Sequence, residues 1–303
     1  MHQVDGRVAG VEADGEVVTA AAVVVATGGF GANPTLVKRY YKGADDDFWY
    51  PGTPHAQGDG LELGTSVGAD LAGPDQASAG LTVGLVRELD SYLPGWVIFV
   101  NRHGRRFVKE TAAYAVMPRV LEQQPGNEAF VIFDEAARAG AKVIVTYKPL
   151  APSWTADNLL QFALDGRLAR FDSLDALAAH AGIERGTLRK TVDTYNRDCG
   201  TGVDSQFFKD ARYLKEVARP PYYLARLRPG VLGVSEKGLR VDRLGRVLSR
   251  IDDPVAGLFA AGETAASLPG VYPGGGASLL NNTVFGRIAG AQAAARAQRT
   301  DPS

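Results

Sequence analysis

One stretch near the C-terminus constrains this chain more than any other. Between Asp253 and Gly290 an apolar run, Val255-Ala256-Gly257-Leu258-Phe259-Ala260-Ala261, breaks at Gly262-Glu263. A turn-rich segment follows, Leu268-Pro269-Gly270-Val271-Tyr272-Pro273-Gly274-Gly275-Gly276. Ala277-Ser278-Leu279-Leu280 then leads into a helical pattern from Thr283 to Gln298. The order reads strand, acidic turn, glycine-rich loop, helix. A buried strand that ends on glycine lets its backbone approach a ligand closely. Glu263 falls at the carboxyl end of that strand, where open α/β sheets bind ligands, and its carboxylate can accept hydrogen bonds from sugar-like hydroxyls. Three glycines before a helix expose backbone N–H groups beside the positive end of the helix dipole. Such a pocket suits an oxygen-rich or partly anionic ring system. A plain strand-to-helix loop also tolerates three glycines; the acidic turn and Tyr272 favour a site.

The N-terminal part has a related grammar. Arg7–Val11 and Glu16–Val18, joined at Asp14-Gly15, predict a hairpin. Ala20 to Ala26 is apolar without alternation, which predicts a strand buried on both faces, as in a parallel sheet. It ends at Thr27-Gly28-Gly29-Phe30-Gly31, and Asn33-Pro34 predicts the N-cap and first residue of a helix to Tyr41. Gln57-Gly58-Asp59-Gly60 precedes a second helix, with Asp59 the expected N-cap. From Pro74 to Pro221 the parallel-strand signals stop. A hairpin around Asn101–Gly104, a strand over Glu128–Asp134 and helices near Leu174–Ala181 and Thr187–Asn196 are expected there instead. The expected organisation is two domains: 1–73 with 222–303, and 74–221 inserted between them.

Composition narrows the function classes. The 303 residues, 45% hydrophobic, suffice for two cores. A net charge of −1 makes no electrostatic case for nucleic acid. No run reaches the ~18 apolar residues of a membrane span. Met1-His2-Gln3-Val4-Asp5-Gly6 is not the start of a signal peptide, so a cytoplasmic enzyme is expected. Cys199 is the single cysteine, and His2, His55, His103 and His180 have no ligand spacing, so no metal site is expected.

Gly257-Leu258-Phe259-Ala260-Ala261-Gly262-Glu263, the glycine loop, and Phe285-Gly286-Arg287-Ile288-Ala289-Gly290 together resemble the C-terminal flavin-binding segment of the fumarate reductase/succinate dehydrogenase/3-ketosteroid dehydrogenase flavoprotein superfamily. Ala26-Thr27-Gly28-Gly29 and Gly58-Asp59-Gly60 are similar to its other flavin-contacting turns. The resemblance implies an α/β chain (α+β overall): a Rossmann-like FAD-binding domain remnant with an inserted α+β substrate-capping domain. It implies FAD as cofactor, with Glu263 on the ribityl chain, and Ala277, Ser278 and Leu279 facing the pyrimidine end of the isoalloxazine ring. Ala26, Thr27, Gly28, Gly29, Asp59 and Gly262 would lie close to FAD. The family's Gly-x-Gly-x-x-Gly pyrophosphate cradle is absent; neither Gly28-Gly29-Phe30-Gly31 nor Gly274-Gly275-Gly276 has the spacing. The expectation is a truncated flavoprotein, a split-gene product whose pyrophosphate site comes from a separate chain, or a mis-called start. The chain alone is expected to hold FAD weakly or not at all.

Departures from the family point to a branch. The fumarate-reducing branch has an arginine proton donor where this chain has Tyr114, a carboxylate-clamping arginine in the loop read here as Val271-Tyr272-Pro273, and a histidine absent from Pro229-Gly230-Val231-Leu232-Gly233. Without arginines a dicarboxylate has no bidentate partner. Lys109-Glu110-Thr111-Ala112-Ala113-Tyr114 and Tyr272-Pro273-Gly274-Gly275-Gly276 resemble the 3-ketosteroid dehydrogenases. That resemblance implies Tyr272 O–H and Gly276 N–H as donors to a ketone oxygen, Tyr114 as base for the α-proton, and flavin as hydride acceptor. Three readings stand: dehydrogenation beside a ketone of a steroid-like small molecule with an unknown electron acceptor; a flavoenzyme of a small carboxylic acid, with Arg102, Arg105, Arg106 or Arg119 contacting it; and an inactive fragment that binds a partner chain.

Overall fold

Val23–Val25 and Pro254–Ala260, from opposite ends of the sequence, pair in parallel with Leu258 opposite Val23 and Ala260 opposite Val25. The computed structural model describes residues 1–41, 44, 48–75, 77–86, 93–113, 116–142, 144–145, 149–150, 153–267 and 275–300. The chain divides into two compact units, Met1–Ser78 with Leu232–Ser303, and Ala79–Val231. The expected divisions at 73/74 and 221/222 thus compare with 78/79 and 231/232. The second division falls inside the unbroken strand Tyr222–Ser235.

In the first unit, Pro254–Ala260 is the central strand of three, with Arg246–Leu248 antiparallel on its other side. Parallel pairing sets the carboxyl ends of the two apolar strands side by side. Ala261 N–H donates to Val25 O at 3.0 Å, which brings the Ala26–Gly29 turn next to Ala261–Glu263. Val8, Val25, Leu239, Val247, Leu258 and Ala260 form the core. The helix Ala277–Thr300 returns along the sheet with Ala289 against Phe259 and Ala261.

Three expectations change here. The strand expected over 20–26 is only Val23–Val25, and it is not buried on both faces: Val24 is 37% exposed. Among the described residues this strand is the sheet edge, so one side of it has no pairing neighbour. The hairpin Arg7–Ala13/Glu16–Thr19 turns at Asp14 and Gly15, both at positive φ; Asp5-Gly6 makes the same turn, adding an unexpected strand His2–Val4. Asn33 caps the helix Pro34–Tyr40 as expected, accepting from Thr35 N–H at 3.1 Å and Leu36 N–H at 3.2 Å. Asp59, however, is not a cap. Gly58 takes that position at φ 88°, and Asp59 becomes the exposed first residue of Asp59–Thr65. Its charge there still favours the helix dipole.

The second unit is built on antiparallel strands ordered Ala169–Phe171, Tyr222–Ser235, Ala129–Asp134 and Ile98–Asn101, with Ala77–Thr82 also paired to Tyr222–Ser235. Both faces of the sheet are covered, because alternate residues feed two cores. Phe99, Val131 and Phe133 join Trp96, Trp154 and Tyr223 on one side. Ile98, Val100 and Ile132 join Leu177, Leu188 and Val192 on the other, under the helices Leu174–Ala181 and Arg185–Thr201.

A buried ionic cluster ties this unit together. Arg106 donates to both oxygens of Glu110 (2.8 Å each) and both of Asp204 (2.9 and 2.8 Å). Lys209 Nζ lies 2.9 Å from Glu110 and donates to Val97 O at 2.8 Å. The Arg106, Glu110, Asp204 and Lys209 side chains have no exposed surface, and the Arg106 guanidinium lies against the Tyr195 and Phe207 rings.

Candidate functional site

The turn after Pro254–Ala260, the end of Tyr222–Ser235 and the start of the last helix wall a cleft of about 60 Å³ in the first unit, lined among others by Ser235, Gly262, Glu263, Ser278, Asn281 and Asn282. Gly262, at φ 77°, turns the chain out of Pro254–Ala260 into the short helical turn Gly262–Thr264 and sets Glu263 at the strand's end. Glu263 Oε1 accepts from Ser235 N–H and from Ser235 O–H, each at 2.7 Å. Both described bonds fall on Oε1, which leaves Oε2 available to a donor from the cleft. Burial pushes the Glu263 carboxyl above the usual carboxylate value, and the two bonds from Ser235 offset only part of that rise.

Gly29 packs directly on this pair: a Cβ there would collide with the Glu263 carboxylate and the Ser235 hydroxyl. Gly28, Ala26 and Thr27 precede it, and Gly60, next to Asp59, packs against the Thr27 and Thr264 hydroxyls. The turn Ala26–Gly29 and the start of Asp59–Thr65 are therefore brought together near Glu263. Opposite them stands the first turn of Ala277–Thr300, whose backbone N–H groups and dipole present positive charge. Ser278 Oγ is buried there without a hydrogen-bond partner among the described residues. Gly276, at φ 90°, immediately precedes the helix and its carbonyl accepts from Leu280 N–H at 2.9 Å. Ala277 is half-buried outside the cleft lining, and Leu279 is 73% exposed, so neither side chain faces the cleft. Tyr114 and Tyr272 lie outside the described residues.

Sequence reasoning missed Ser235, Asn281 and Asn282. Ser235 has no motif around it; it is recruited by Glu263, 28 residues away. Asn281 and Asn282 did leave a trace, as adjacent amides interrupting Leu279-Leu280 and Val284-Phe285 early in the helix. Asn281 is buried, and its Oδ1 accepts from Ser267 O–H at 2.7 Å.

These groups suit a polyol beside a polar ring. A carboxylate oxygen held ready for a hydroxyl, a buried serine hydroxyl, and a helix N-terminus facing the same cleft all offer hydrogen bonds that no described residue uses. The residues present fit the ribityl chain of a flavin at Glu263. Among the described residues no cluster of side chains could hold a metal ion, and no helix is long and apolar enough to cross a membrane.

Comparison with known proteins agrees with this chemistry. The family described as FAD binding domain matches residues 1–279. The chain is 31% identical over 284 residues to NADH:acrylate oxidoreductase of Vibrio harveyi, covering 89% of this chain and 26% of that protein. It is 30% identical over 299 residues to 3-oxosteroid 1-dehydrogenase of Mycobacterium tuberculosis, covering 88% and 51%. Its structure is similar to 3-ketosteroid Δ1-dehydrogenase from Sterolibacterium denitrificans in complex with 1,4-androstadiene-3,17-dione, with a TM-score of 0.77, 26% identity, and 97% and 58% coverage. The chain thus spans from about a quarter to about half of the length of these curated relatives.

Proposed function

This chain belongs to the FAD binding domain family, and on that premise we propose that it works in an FAD-dependent oxidoreductase that dehydrogenates a CH–CH bond beside a ketone, with a 3-ketosteroid-like substrate. FAD supplies a two-electron hydride acceptor when bound. Glu263 and Ser235 hold its polyol chain, and Ser278 and the helix start meet the polar ring. Tyr272 O–H and Gly276 N–H donate to the ketone oxygen as the α-proton leaves and negative charge grows there. Tyr114 takes that proton.

The observation that carries the reading is the fate of Arg106. A small carboxylic acid, the second reading, needs a free guanidinium, and of the four arginines named for it Arg106 is spent inside the second unit on Glu110 and Asp204, and Arg102 pairs with Glu128. Tyrosines stand at both positions where the carboxylate-handling relatives of the superfamily place arginine. A 3-oxosteroid 1-dehydrogenase and a steroid-bound structure stand among the similar proteins, beside an acrylate oxidoreductase of comparable identity, so the choice rests on the residues.

The test uses the purified chain with saturating FAD. Ketosteroid-dependent reduction of a dye acceptor is expected, and Tyr272→Phe should lower it by about 100-fold or more, the loss of one oxyanion donor at roughly 2.7–4 kcal/mol. Tyr114→Phe should abolish exchange of the α-proton of a ketone in heavy water. Turnover of acrylate or fumarate without any ketosteroid turnover would replace this reading by the second.

A further inference from the structure

Among the described residues Val23–Val25 is the edge of its sheet, and it is a parallel edge. Successive residues of a strand turn their backbone groups to opposite sides of it. Val25 O accepts from Ala261 N–H, so the groups of Val25 face Pro254–Ala260 and those of Val24 face away from it. The Val24 N–H and C=O thus point out of the sheet, beside an exposed Val24 side chain. Natural edge strands are blunted by charge, proline or a bulge. This one has none of them: residues 20–26 are alanine and valine throughout, and the pairing with Pro254–Ala260 runs in unbroken register. Parallel strands are ordinarily flanked and covered, and this edge is left in a state that suits a further parallel strand.

The last helix, which packs Ala289 on the same sheet, has an exposed side of matching character. Its 24 residues include three arginines and no acid, and Leu279, Leu280 and Val284 are exposed. A helix side meant for water carries more charge than this. Gly286, Gly290 and Ala294 are exposed too, and their spacing of four sets them in one row. A Cβ on either glycine would meet nothing. A glycine inside a helix costs about 1 kcal/mol against alanine, and no contact within this chain calls for either one. What glycine allows is the close approach of another backbone.

The third observation is chemical. The edge strand ends in the Ala26–Gly29 turn, where Gly29 packs on Glu263. In a dinucleotide the pyrophosphate follows the polyol, and it needs backbone N–H groups at a helix N-terminus just beyond a parallel strand. No Gly-x-Gly-x-x-Gly occurs in the 303 residues to supply them. We propose that the Val24 edge and the Gly286–Gly290–Ala294 row dock a strand–Gly-x-Gly-x-x-Gly–helix unit carried on a separate polypeptide. Its strand continues the sheet in parallel beside Val23–Val25. Its glycine-rich turn then falls at the carboxyl end of the sheet, next to Ala26–Gly29, and its helix returns against the glycine row. One occupant takes up the free edge groups, covers the glycines and completes the cradle. The proposal rests on the FAD reading above for the purpose of the docking, but the surface itself is a property of this chain.

The test titrates the purified chain with a synthetic unit of about 30 residues: a valine-rich strand, Gly-x-Gly-x-x-Gly and a helix. Sedimentation velocity should show a one-to-one complex. Flavin fluorescence should show FAD held about tenfold more tightly by the complex than by the chain alone, with no such gain for riboflavin. Val24→Pro removes an N–H that no described residue uses, and proline is tolerated on edge strands. Gly290→Leu fills open space on the helix. Neither should lower the urea midpoint of the chain alone, and each should weaken the complex about tenfold. Absence of a complex, a complex indifferent to both substitutions, or a dimer of this chain that excludes the unit and dissolves in Val24→Pro overturns the proposal. Failure of the FAD reading shows differently, as a complex that forms and responds to both substitutions while binding no flavin.

Discussion

At Glu263 two effects oppose each other. Burial pushes its carboxyl up, and the hydrogen bonds from Ser235 pull it back without cancelling the rise. A carboxyl whose pKa is higher folded than unfolded binds its proton more tightly in the folded chain. Stability is then greatest below the unfolded pKa and is lost as pH rises through the folded one. Glu263→Gln keeps an acceptor for Ser235 and removes the charge. Without flavin, the variant is expected to be no less stable than the parent at pH 7, with a flatter stability profile on the mildly acidic side, measured by urea unfolding across pH. Its FAD affinity should fall about fivefold, since a hydrogen bond to a charged acceptor is stronger than one to an amide by ~1 kcal/mol. Parent-like FAD affinity in Glu263→Gln would remove this residue from the cofactor site.

Between elements, the Arg106 cluster ties several parts of the second unit together. It links the backbone at Val97 and Phe99, at the start of Ile98–Asn101, to Glu110, to the turn after Arg185–Thr201, and to Tyr195 on that helix. Burial pushes Asp204 up, but the bonds from Arg106 and the Lys209 N–H outweigh it and hold the carboxyl well below the usual range. A depressed carboxyl contributes stability above its unfolded pKa, and that stability is lost as pH falls through the folded one. Arg106→Met strands two buried carboxylates with one lysine and should cost ~3–5 kcal/mol. The readout is the unfolding transition reported by Trp96 and Trp154, both buried in this unit. The variant should also lose much of the acid sensitivity that Asp204 gives the parent. A stability loss below ~1 kcal/mol would mean that Lys209 alone neutralises the cluster.

For the whole molecule, the question is how much of a dinucleotide this chain can hold. On the function proposed above, its described site serves the polyol and ring end. No Gly-x-Gly-x-x-Gly occurs anywhere in the 303 residues to cradle the pyrophosphate. The purified chain should therefore bind FAD weakly, and riboflavin or FMN nearly as well as FAD, because the adenosine phosphate half finds no partner. Flavin fluorescence titration with the three ligands decides this. Tight, stoichiometric FAD binding with a large preference over riboflavin would place a pyrophosphate site in residues whose pattern does not announce it.

The residue pattern alone determined the local grammar: the Asp-Gly turns, the Asn33 cap, the strand that breaks at Gly262-Glu263, and the long C-terminal helix. These depend on backbone propensity and near neighbours, which sequence order carries. It also pointed to the flavin family through the same turns. Only the tertiary structure decided the rest. Parallel pairing of Val23–Val25 with Pro254–Ala260 brought Gly29 onto Glu263 across more than 230 residues of chain. Ser235 became a partner of Glu263 because a strand from the second unit runs on into the first. Asp59 lost its expected capping role to Gly58, whose left-handed backbone no composition argument ranks above an aspartate. Arg106, in sequence one of several arginines available to a substrate, turned out to be buried against two carboxylates, the nearer four residues away and the other 98. Burial and long-range pairing are properties of the packed chain, and they choose among residue types that the sequence makes equally available.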